Sequence, residues 1–503
     1  MTQTESLPFG PGALVVVGVY VAGLLVIGAI AYLKRKEDSL GDFYLAGRSM
    51  GFTVLLFTLY ATQYSGNTLL GFSGAAYREG LGFLVCLHFM TAIVVAYLFF
   101  APGLYRLSRD HQFITPGDFI YQRYGSHFLR ILITILMVYA VCNFTLAQMK
   151  TLGTAFEGIS QGRIPLWAGV LGLAVVMLVY ESLGGMRSVA WTDAVQGGIL
   201  FIGFILLLYM VLTEVGTVPS AIGKLASNPA TVHKVQAPDA EGVRRWLSFI
   251  LMVGLGAAIY PQAIQRIYSA GSVRILKRSL TVMAVLPLAT TLIAVVVGVI
   301  MAAHVPGLDD PSARQAGSTI VLSETVLPLL CLEVMQSSEF GYWLVVIIFA
   351  ALLAAVMSTA DSALLSISSM VTKDIYAQYI RPEADQRHLA RVGKWVTWIV
   401  MAPIVWLALV YEGTLIQLLK IKFELLIQCV PAFYLGVHCR WLTARTVTLG
   451  VLAGLAVTLV LVGTQHPSVW GFHSGVLGLA VNFFVCFSDY FCHRRPFADE
   501  KRV

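Results

Sequence analysis

The stretch that decides the fold runs from Gly51 to Gly74 and reads GFTVLLFTLYATQYSGNTLLGFSG. It is long enough to cross a bilayer, because a membrane helix needs about 20 mostly apolar residues. Its centre, from Thr62 to Thr68, is nevertheless polar and contains Gly66. Such groups at mid-membrane must face protein, water or a ligand. Two interpretations stay open: the polar side packs inside a helix bundle, or the helix is interrupted at a solute-binding site.

The composition of the whole chain selects a membrane protein. Of its 503 residues, 57% are hydrophobic and 12% are charged, whereas soluble domains average about 45–50% and about 25%. No polar stretch is long enough to fold alone, so we expect a single transmembrane transporter domain over residues 1–503. The first apolar run has no basic segment before it, which argues against a cleaved signal peptide.

Thirteen apolar stretches are long enough to be membrane-spanning helices, so the predicted fold class is an all-α integral membrane protein. They lie at about 12–33, 51–73, 81–104, 128–149, 165–182, 189–213, 246–270, 279–303, 342–371, 390–411, 414–438, 443–463 and 470–492.

The distribution of basic residues predicts the orientation of these spans. If the N-terminus is outside the cell, 24 of the 34 lysine and arginine residues lie in inner loops and eight in outer loops. Inner loops normally carry the excess of positive charge, so we predict thirteen spans that run N-out/C-in. This topology also explains the net charge of +7 without a nucleic-acid partner.

The seventh stretch has Gly254, Gly256 and Pro261 near its middle. It is therefore a second span with an interruption, and it begins five spans after the first one. Five spans reverse the direction of crossing, and two interrupted spans of opposite orientation indicate an inverted repeat with a binding site between its halves. The predicted parts are a leading helix at 12–33, repeats at 51–213 and 246–438, and two C-terminal helices within 443–492.

Small and hydroxylated residues share one face of the ninth stretch. Ala355, Ser358, Thr359 and Ser362 fall at helical spacing. Such a face permits close helix packing. Its hydroxyl groups, beside free carbonyl groups of another helix, would also form an oxygen cage for a small hard cation such as sodium. Both interpretations stay open.

Ionisable residues within spans are functional candidates. Asp193 begins the sixth stretch, where it either caps the helix N-terminus or has a functional role. Glu181 and Arg187 flank a short turn and are expected to be loop residues.

Two lysines lie in the eleventh stretch. Lys420 and Glu424 are four residues apart and are expected to pair. Lys422 would then be available to attract a carboxylate solute, or it would extend to the membrane edge.

No enzyme constellation is present. The sequence contains no P-loop, no HExxH and no GxSxG, and its cysteines have no metal-ligand spacing. We therefore expect a transporter and not an enzyme. Without a nucleotide site, uphill transport would draw on an ion gradient, with no cofactor other than the coupling ion.

Several motifs, in order along the chain, resemble the sodium:solute symporter family. They are DFYLAGRSMG at 42–51, GAAYREG at 74–80, GGMRSVAWTDAVQG at 184–197, QR at 265–266, AAVMSTADS at 354–362 and TKDIY at 372–376. The resemblance implies the family's LeuT-like fold, a five-plus-five inverted repeat.

The resemblance also implies a sodium site between the first and eighth core helices. Its ligands would be the backbone carbonyl groups of Ala61, Tyr64 and Ala355 and the hydroxyl groups of Ser358 and Thr359. Some relatives have a second sodium site that uses an acid of the fifth core helix, which in this chain would be Asp193.

The solute is expected to differ from a sugar. Around Thr68 and Gln262 the sequence departs from the family's sugar transporters. It is more similar to the pantothenate and monocarboxylate branch at two places. Glu424 lies seven residues before Pro431, and the tripeptide GFH stands at 471–473. The candidate solute-binding residues are Gln63, Asn67, Thr68, Tyr260, Gln262 and Lys422.

The expected function is sodium-coupled symport of a small organic solute by alternating access. The solute would be a carboxylate such as a monocarboxylate, pantothenate or an amino acid. A proton-coupled carrier on the same scaffold and a membrane solute sensor are the alternatives. The expected partners are the solute, sodium ions and the lipid bilayer, with no obligatory protein partner, and the expected location is the cell (inner) membrane.

Overall fold

The structure of this protein is a computed structural model that describes residues 11–33, 39–310, 312–315 and 318–492. The basic loop residues at 34–36 and 494–502, which contribute to the predicted orientation, lie outside the described residues, and so does the side chain of Glu181. Within this part of the chain the only strands are Ser468–Val469 and Phe472–His473, a short antiparallel pair in which Ser468 lies opposite His473.

The described residues of the first half of the chain form ten α-helices. They are α1 (Pro11–Leu33), α2 (Leu40–Leu45), α3 (Phe52–Gln63), α4 (Gly66–Glu79), α5 (Val85–Asp110), α6 (Pro116–Tyr124), α7 (His127–Ile159), α8 (Leu166–Met210), α9 (Val218–Ser227) and α10 (Ala240–Ala258).

Eleven further helices follow in the described residues. They are α11 (Pro261–Ser269), α12 (Val273–Met283), α13 (Leu286–Ala289), α14 (Thr291–His304), α15 (Val326–Ser337), α16 (Glu339–Met370), α17 (Gln386–Val410), α18 (Leu415–Leu426), α19 (Val430–His438), α20 (Ala444–Gly463) and α21 (Ser474–Cys492).

Many of these helices are suited to a bilayer. Among the described residues, seven helical segments are long and apolar enough to cross a membrane, and the bent pair α10–α11 makes an eighth. Four shorter apolar helices lie at Val15–Ile30, Phe52–Gln63, Leu166–Val179 and Ser474–Ser488. The all-helical, multi-pass character is confirmed, while the count of thirteen and the orientation stay predictions.

The second predicted span is interrupted within its polar centre. Helix α3 ends at Gln63, Tyr64 has an extended backbone, and α4 begins at Gly66. Ser65 starts α4 with a capping box, in which its side chain accepts the N–H of Thr68 while its own N–H donates to Thr68 Oγ1 at 3.2 Å. The hydroxyl groups of this stretch therefore fix the break.

The seventh predicted span is also interrupted. Helices α10 and α11 meet at a bend of 48°. Pro261 occupies the first turn of α11, where its missing N–H costs nothing and where it cannot continue the preceding helix.

Gly185 takes the place of the predicted turn between the fifth and sixth spans. Helical residues run continuously through α8, except that Gly185 has φ 58° and ψ −158°, a conformation open essentially to glycine alone. A Cβ atom there would lie 2.7 Å from the carbonyl oxygen of Phe43. The prediction that Arg187 is a loop residue is wrong: it lies in this helix, and its guanidinium is 2.6 Å from Asp42 Oδ1, because a partly buried arginine needs an acidic partner.

Other segments differ from the expected spans. The stretch at 279–303 is three helices, α12 to α14, with Pro287 in the short middle one. The segment at 304–341 contains α15, and the amphipathic helix α6 was not predicted.

Helix α16 is central to the bundle. It packs along α7 and α8, and it also contacts α3, α4 and α11. Both interrupted spans therefore meet the hydroxyl-bearing helix of the ninth predicted span.

Candidate functional site

The break between α3 and α4 releases backbone carbonyl groups. In a continuous helix the carbonyl groups of Ala61 and Thr62 would accept the N–H groups of Ser65 and Gly66. The N–H of Ser65 is used in its capping box, and the N–H of Gly66 donates to Gln148 Oε1 at 3.2 Å. The two carbonyl oxygens are thus free of the helical ladder and available to another donor or to a cation.

Helix α16 brings a hydroxyl group to one of these carbonyl groups. Thr359 Oγ1 donates to the carbonyl oxygen of Ala61 at 3.1 Å. Ala355, Ser358 and Thr359 are fully buried, and Tyr64, the residue after α3, is 1% exposed. Of the five predicted sodium ligands, the structure shows Ala61 and Thr359 in direct contact, which gives neutral oxygens from two helices.

Ser358 points to a different partner. Its Oγ donates to Asp193 Oδ1 at 2.6 Å, and Thr58 Oγ1 donates to Asp193 Oδ2 at 2.5 Å. Arg266 Nη2 lies 2.9 Å from the same Oδ2. Because Asp193 has no exposed surface, the interpretation of an interfacial helix cap is wrong. It is the acid of a buried network that joins α3, α8, α11 and α16.

The guanidinium of Arg266 makes three further hydrogen bonds in this network. It donates to Thr58 Oγ1 and to the carbonyl oxygen of Gln262, both at 3.0 Å, and to the hydroxyl of Ser362. Sequence reasoning missed the partnership of Arg266 with Asp193. A signal was present, because an arginine just after an interrupted span needs an acid from a neighbouring helix.

A small cavity of about 30 Å³ lies against the same helix break. The break contributes the polar part of its wall, and the rest is mostly apolar and aromatic. The lining residues are Thr62, Gln63, Ser65, Asn67, Thr68, Phe72, Phe89, Met90, Ile93, Phe144, Val253, Ala257, Tyr260, Leu419, Lys422 and Phe423.

Five of the six predicted solute-binding residues line this cavity. Gln262 is the exception: its carbonyl group accepts Arg266, and its buried side-chain amide has no hydrogen-bond partner among the described residues.

Lys422 reaches the cavity from α18 and is 1% exposed. Its ammonium lies 3.9 Å from the ring centre of Phe144. The expected pair between Lys420 and Glu424 is not among the ion pairs of the described residues. Lys420 instead lies over the ring of Phe249 at 5.4 Å, because a long flexible cation is also stabilised on an aromatic face.

A comparison with known families identifies the family of this chain. The model of the sodium:solute symporter family matches residues 43–454, which include both interrupted spans and the α16 hydroxyl groups. The chain belongs to the sodium:solute symporter family. It is a transporter and not an enzyme, and sodium is the coupling ion of the family.

The sequence matches to three curated relatives extend over most of this symporter. The sodium/pantothenate symporter of Haemophilus influenzae is 26% identical over 78% of each chain. The osmoregulated proline transporter of Bacillus subtilis is 25% identical over 92% of each. The sodium/proline symporter of Escherichia coli is 27% identical over 92% of this chain and 91% of the relative.

Solved structures share the symporter's fold. A substrate-bound, outward-open sodium-coupled sialic acid symporter matches with a TM-score of 0.76 and 19% identity, over 98% of this chain and 100% of the other. A nucleobase-cation-symport-1 family transporter matches with a TM-score of 0.57 and 13% identity, over 91% and 96%. At such identities the likeness shows the fold alone, which is LeuT-like.

Proposed function

We propose that this symporter carries a small carboxylate solute across the membrane together with sodium by alternating access. One observation carries the proposal: Thr359 Oγ1 lies 3.1 Å from the carbonyl oxygen of Ala61, and a cavity lies at the α3–α4 break. A sodium ion between these atoms would tie α16 to α3. The carbonyl groups of Tyr64 and Ala355 and the hydroxyl of Ser358 are proposed as its further ligands.

Sodium binding would couple to the solute through the helix break. Thr62 and Ser65, which follow the proposed ligands Ala61 and Tyr64 in the sequence, line the cavity. An ion that fixes the end of α3 would also fix the cavity wall, and a solute that orders this wall would favour ion binding. Such reciprocity is the thermodynamic basis of coupling between two sites.

The relatives support a carboxylate as the solute. Pantothenate, proline and sialic acid, which appear in the names of three relatives, each contain a carboxylate group. The sodium/glucose cotransporter of Vibrio parahaemolyticus is 26% identical over 89% of this chain. A sugar is therefore the control solute in tests of carboxylate transport. The closer similarity to the pantothenate and monocarboxylate branch remains part of this proposal.

The finer topology belongs to the same proposal. Thirteen spans with an outer N-terminus and an inner C-terminus place most basic residues on the inner side, as expected for a protein of the cell (inner) membrane. The two interrupted spans would then begin repeats 51–213 and 246–438.

The number of sodium ions limits how far a carboxylate can be concentrated. One charge that crosses about 100 mV gains roughly 2.3 kcal/mol, and a tenfold sodium gradient adds about 1.4 kcal/mol. One sodium with a monoanion moves no net charge, so it supports only about tenfold accumulation. A second sodium at Asp193 would raise this limit, but the ion would have to displace the guanidinium of Arg266.

Uptake into proteoliposomes tests the proposal. The purified protein is reconstituted, and labelled carboxylates, amino acids and glucose are offered with an inward sodium gradient, with potassium instead, or with a pH gradient alone. We expect accumulation of a carboxylate only with sodium. Equal uptake with the pH gradient alone would support the proton-coupled carrier. Ligand binding without accumulation under any gradient would support the sensor.

A further inference from the structure

We infer that Lys422 is the counter-ion for the solute carboxylate, and that its cavity selects a compact monocarboxylate over an amino acid. This inference rests on the proposed function, since it takes the cavity at the α3–α4 break as the solute site. It adds the residue that recognises the carboxylate and a limit on the rest of the solute.

Lys422 places a positive charge in the wall of the cavity. The side chain is 1% exposed, and its ammonium lies among three rings, 3.9 Å from the centre of Phe144, 5.4 Å from Tyr260 and 5.2 Å from Phe423. Of the sixteen described residues that line the cavity, Lys422 alone is charged. Ring faces attract a cation, but they replace only part of the hydration that the ammonium has lost. Buried charges in proteins are normally paired. An anion from outside the protein would complete this environment.

Two polar groups of the same cavity lining lack hydrogen-bond partners among the described residues. Tyr260 OH and Asn67 Oδ1 are buried, at 5% and 2% exposure of their residues, and neither has a hydrogen-bond partner among the described residues. Buried polar groups are nearly always satisfied. The Tyr260 hydroxyl can donate to a carboxylate held by Lys422, while Asn67 Oδ1 can accept from a hydroxyl or amide of the solute.

The rest of the cavity wall is mostly apolar. Met90, Ile93, Val253 and Ala257 give it an apolar surface, and the cavity is small, with a volume of about 30 Å³. No described lining residue is acidic, so an α-ammonium group would meet the charge of Lys422 without a carboxylate of its own. A carboxylate with a short apolar or hydroxylated body fits this wall better than a zwitterion.

Matched ligands test the inference on the purified full-length protein in sodium. The probes are straight-chain acids of three to six carbons and their 2-hydroxy derivatives, each compared with its primary amide and with its 2-amino acid. Binding is followed by thermal shift. We expect at least one acid to bind at least tenfold more tightly than its amide and its amino acid. Binding of none of the acids, or equal binding of acid and amide, would overturn the inference.

Two variants of α18 make the test specific. Lys422→Met is expected to weaken binding of the acid at least tenfold, while Lys420→Met, which removes the lysine over Phe249, should leave it unchanged. Without solute, Lys422→Met should unfold at the same temperature as the wild type or higher, because it removes a buried charge without a carboxylate partner. An unchanged affinity in Lys422→Met, with the protein folded, would contradict the assignment.

Uptake separates a failure of this inference from a failure of the proposed function. Sodium-driven accumulation of proline or glucose that persists in Lys422→Met would leave a sodium symporter and remove the role of Lys422. Absence of sodium-driven accumulation for every solute in the wild type would remove the proposed function as well.

Discussion

The carboxylate of Asp193 lies 2.9 Å from the guanidinium of Arg266, and neither side chain has any exposed surface. The pair joins α8 to α11, and the hydroxyl groups of Thr58 and Ser358 extend it to α3 and α16. Any movement of α3 or α11 relative to α16 would have to rearrange this network. Removal of one partner would leave the other charge buried and unpaired.

Removal of one partner of this pair should be strongly destabilising. Arg266→Met would leave Asp193 buried without a cation, and we expect a loss of about 3–5 kcal/mol in the free energy of unfolding. Arg245→Met is the control, because its pair with Glu241 is more than half exposed and is worth about 0–1 kcal/mol. Thermal unfolding in detergent measures both. Equal stability of the two variants would show that the buried pair is not intact.

Transport of a monocarboxylate should move no net charge. Arg266 already supplies the positive charge beside Asp193, so we expect a single sodium to accompany each carboxylate. Solute-induced currents in reconstituted membranes should then be absent for an acid that is accumulated. A steady inward current, with a sodium cooperativity that Asp193→Asn reduces, would instead establish the second sodium ion.

The kink of α8 should tolerate only glycine. Gly185→Ala forces a side chain into φ 58°, ψ −158° and places a Cβ 2.7 Å from the carbonyl oxygen of Phe43. The strained backbone alone costs about 1–3 kcal/mol, so a clear drop in melting temperature is expected. Gly172→Ala in the same helix has open space around it and should be neutral or slightly stabilising. A Gly185→Ala protein as stable as Gly172→Ala would contradict the observed conformation.

The segment just before α15 should give the protein a pH-dependent stability. Glu324 is 1% exposed, its Oε1 accepts the N–H of Leu415 at 2.5 Å, and burial raises the pKa of this carboxyl above its ordinary value. A group whose pKa is raised on folding contributes stability that is complete below its unfolded pKa of about 4.3 and is lost as the pH rises through the native pKa.

The melting temperature of the wild type should therefore fall, relative to Glu324→Gln, as the pH rises from about 4.3 towards neutrality. The exposed Glu383→Gln should follow the wild type. Parallel curves for wild type and Glu324→Gln would mean that the native carboxyl is not perturbed.

Much of the site could be predicted because polar residues inside apolar stretches are conspicuous. The run from Thr62 to Thr68 indicated the interruption, and the spacing of Ser358 and Thr359 indicated a hydroxyl-bearing face. Lys422 was recognised as a cation within a span. These signals are local, since they need only one segment and the cost of placing polar groups in a membrane.

Contacts between distant segments could not be predicted in the same way. Arg266 and Asp193 are 73 residues apart, and Arg187 and Asp42 are 145 apart. Their pairing depends on how helices pack, which hydropathy does not determine. The amphipathic α6 was missed because its residues are too polar for a span, and Gly185 was taken as part of a turn because one residue with positive φ replaces the loop.

Sodium binding between α3 and α16 is tested by the melting temperature of the purified protein in sodium compared with potassium at equal ionic strength. The wild type should be more stable in sodium, because an ion that binds only the folded state stabilises it. Thr359→Ala should abolish this difference. Thr397→Ala, a buried threonine that donates to its own helix at Gly393, should keep it. A difference between sodium and potassium that survives in Thr359→Ala, or that is absent from the wild type, would contradict sodium binding between α3 and α16.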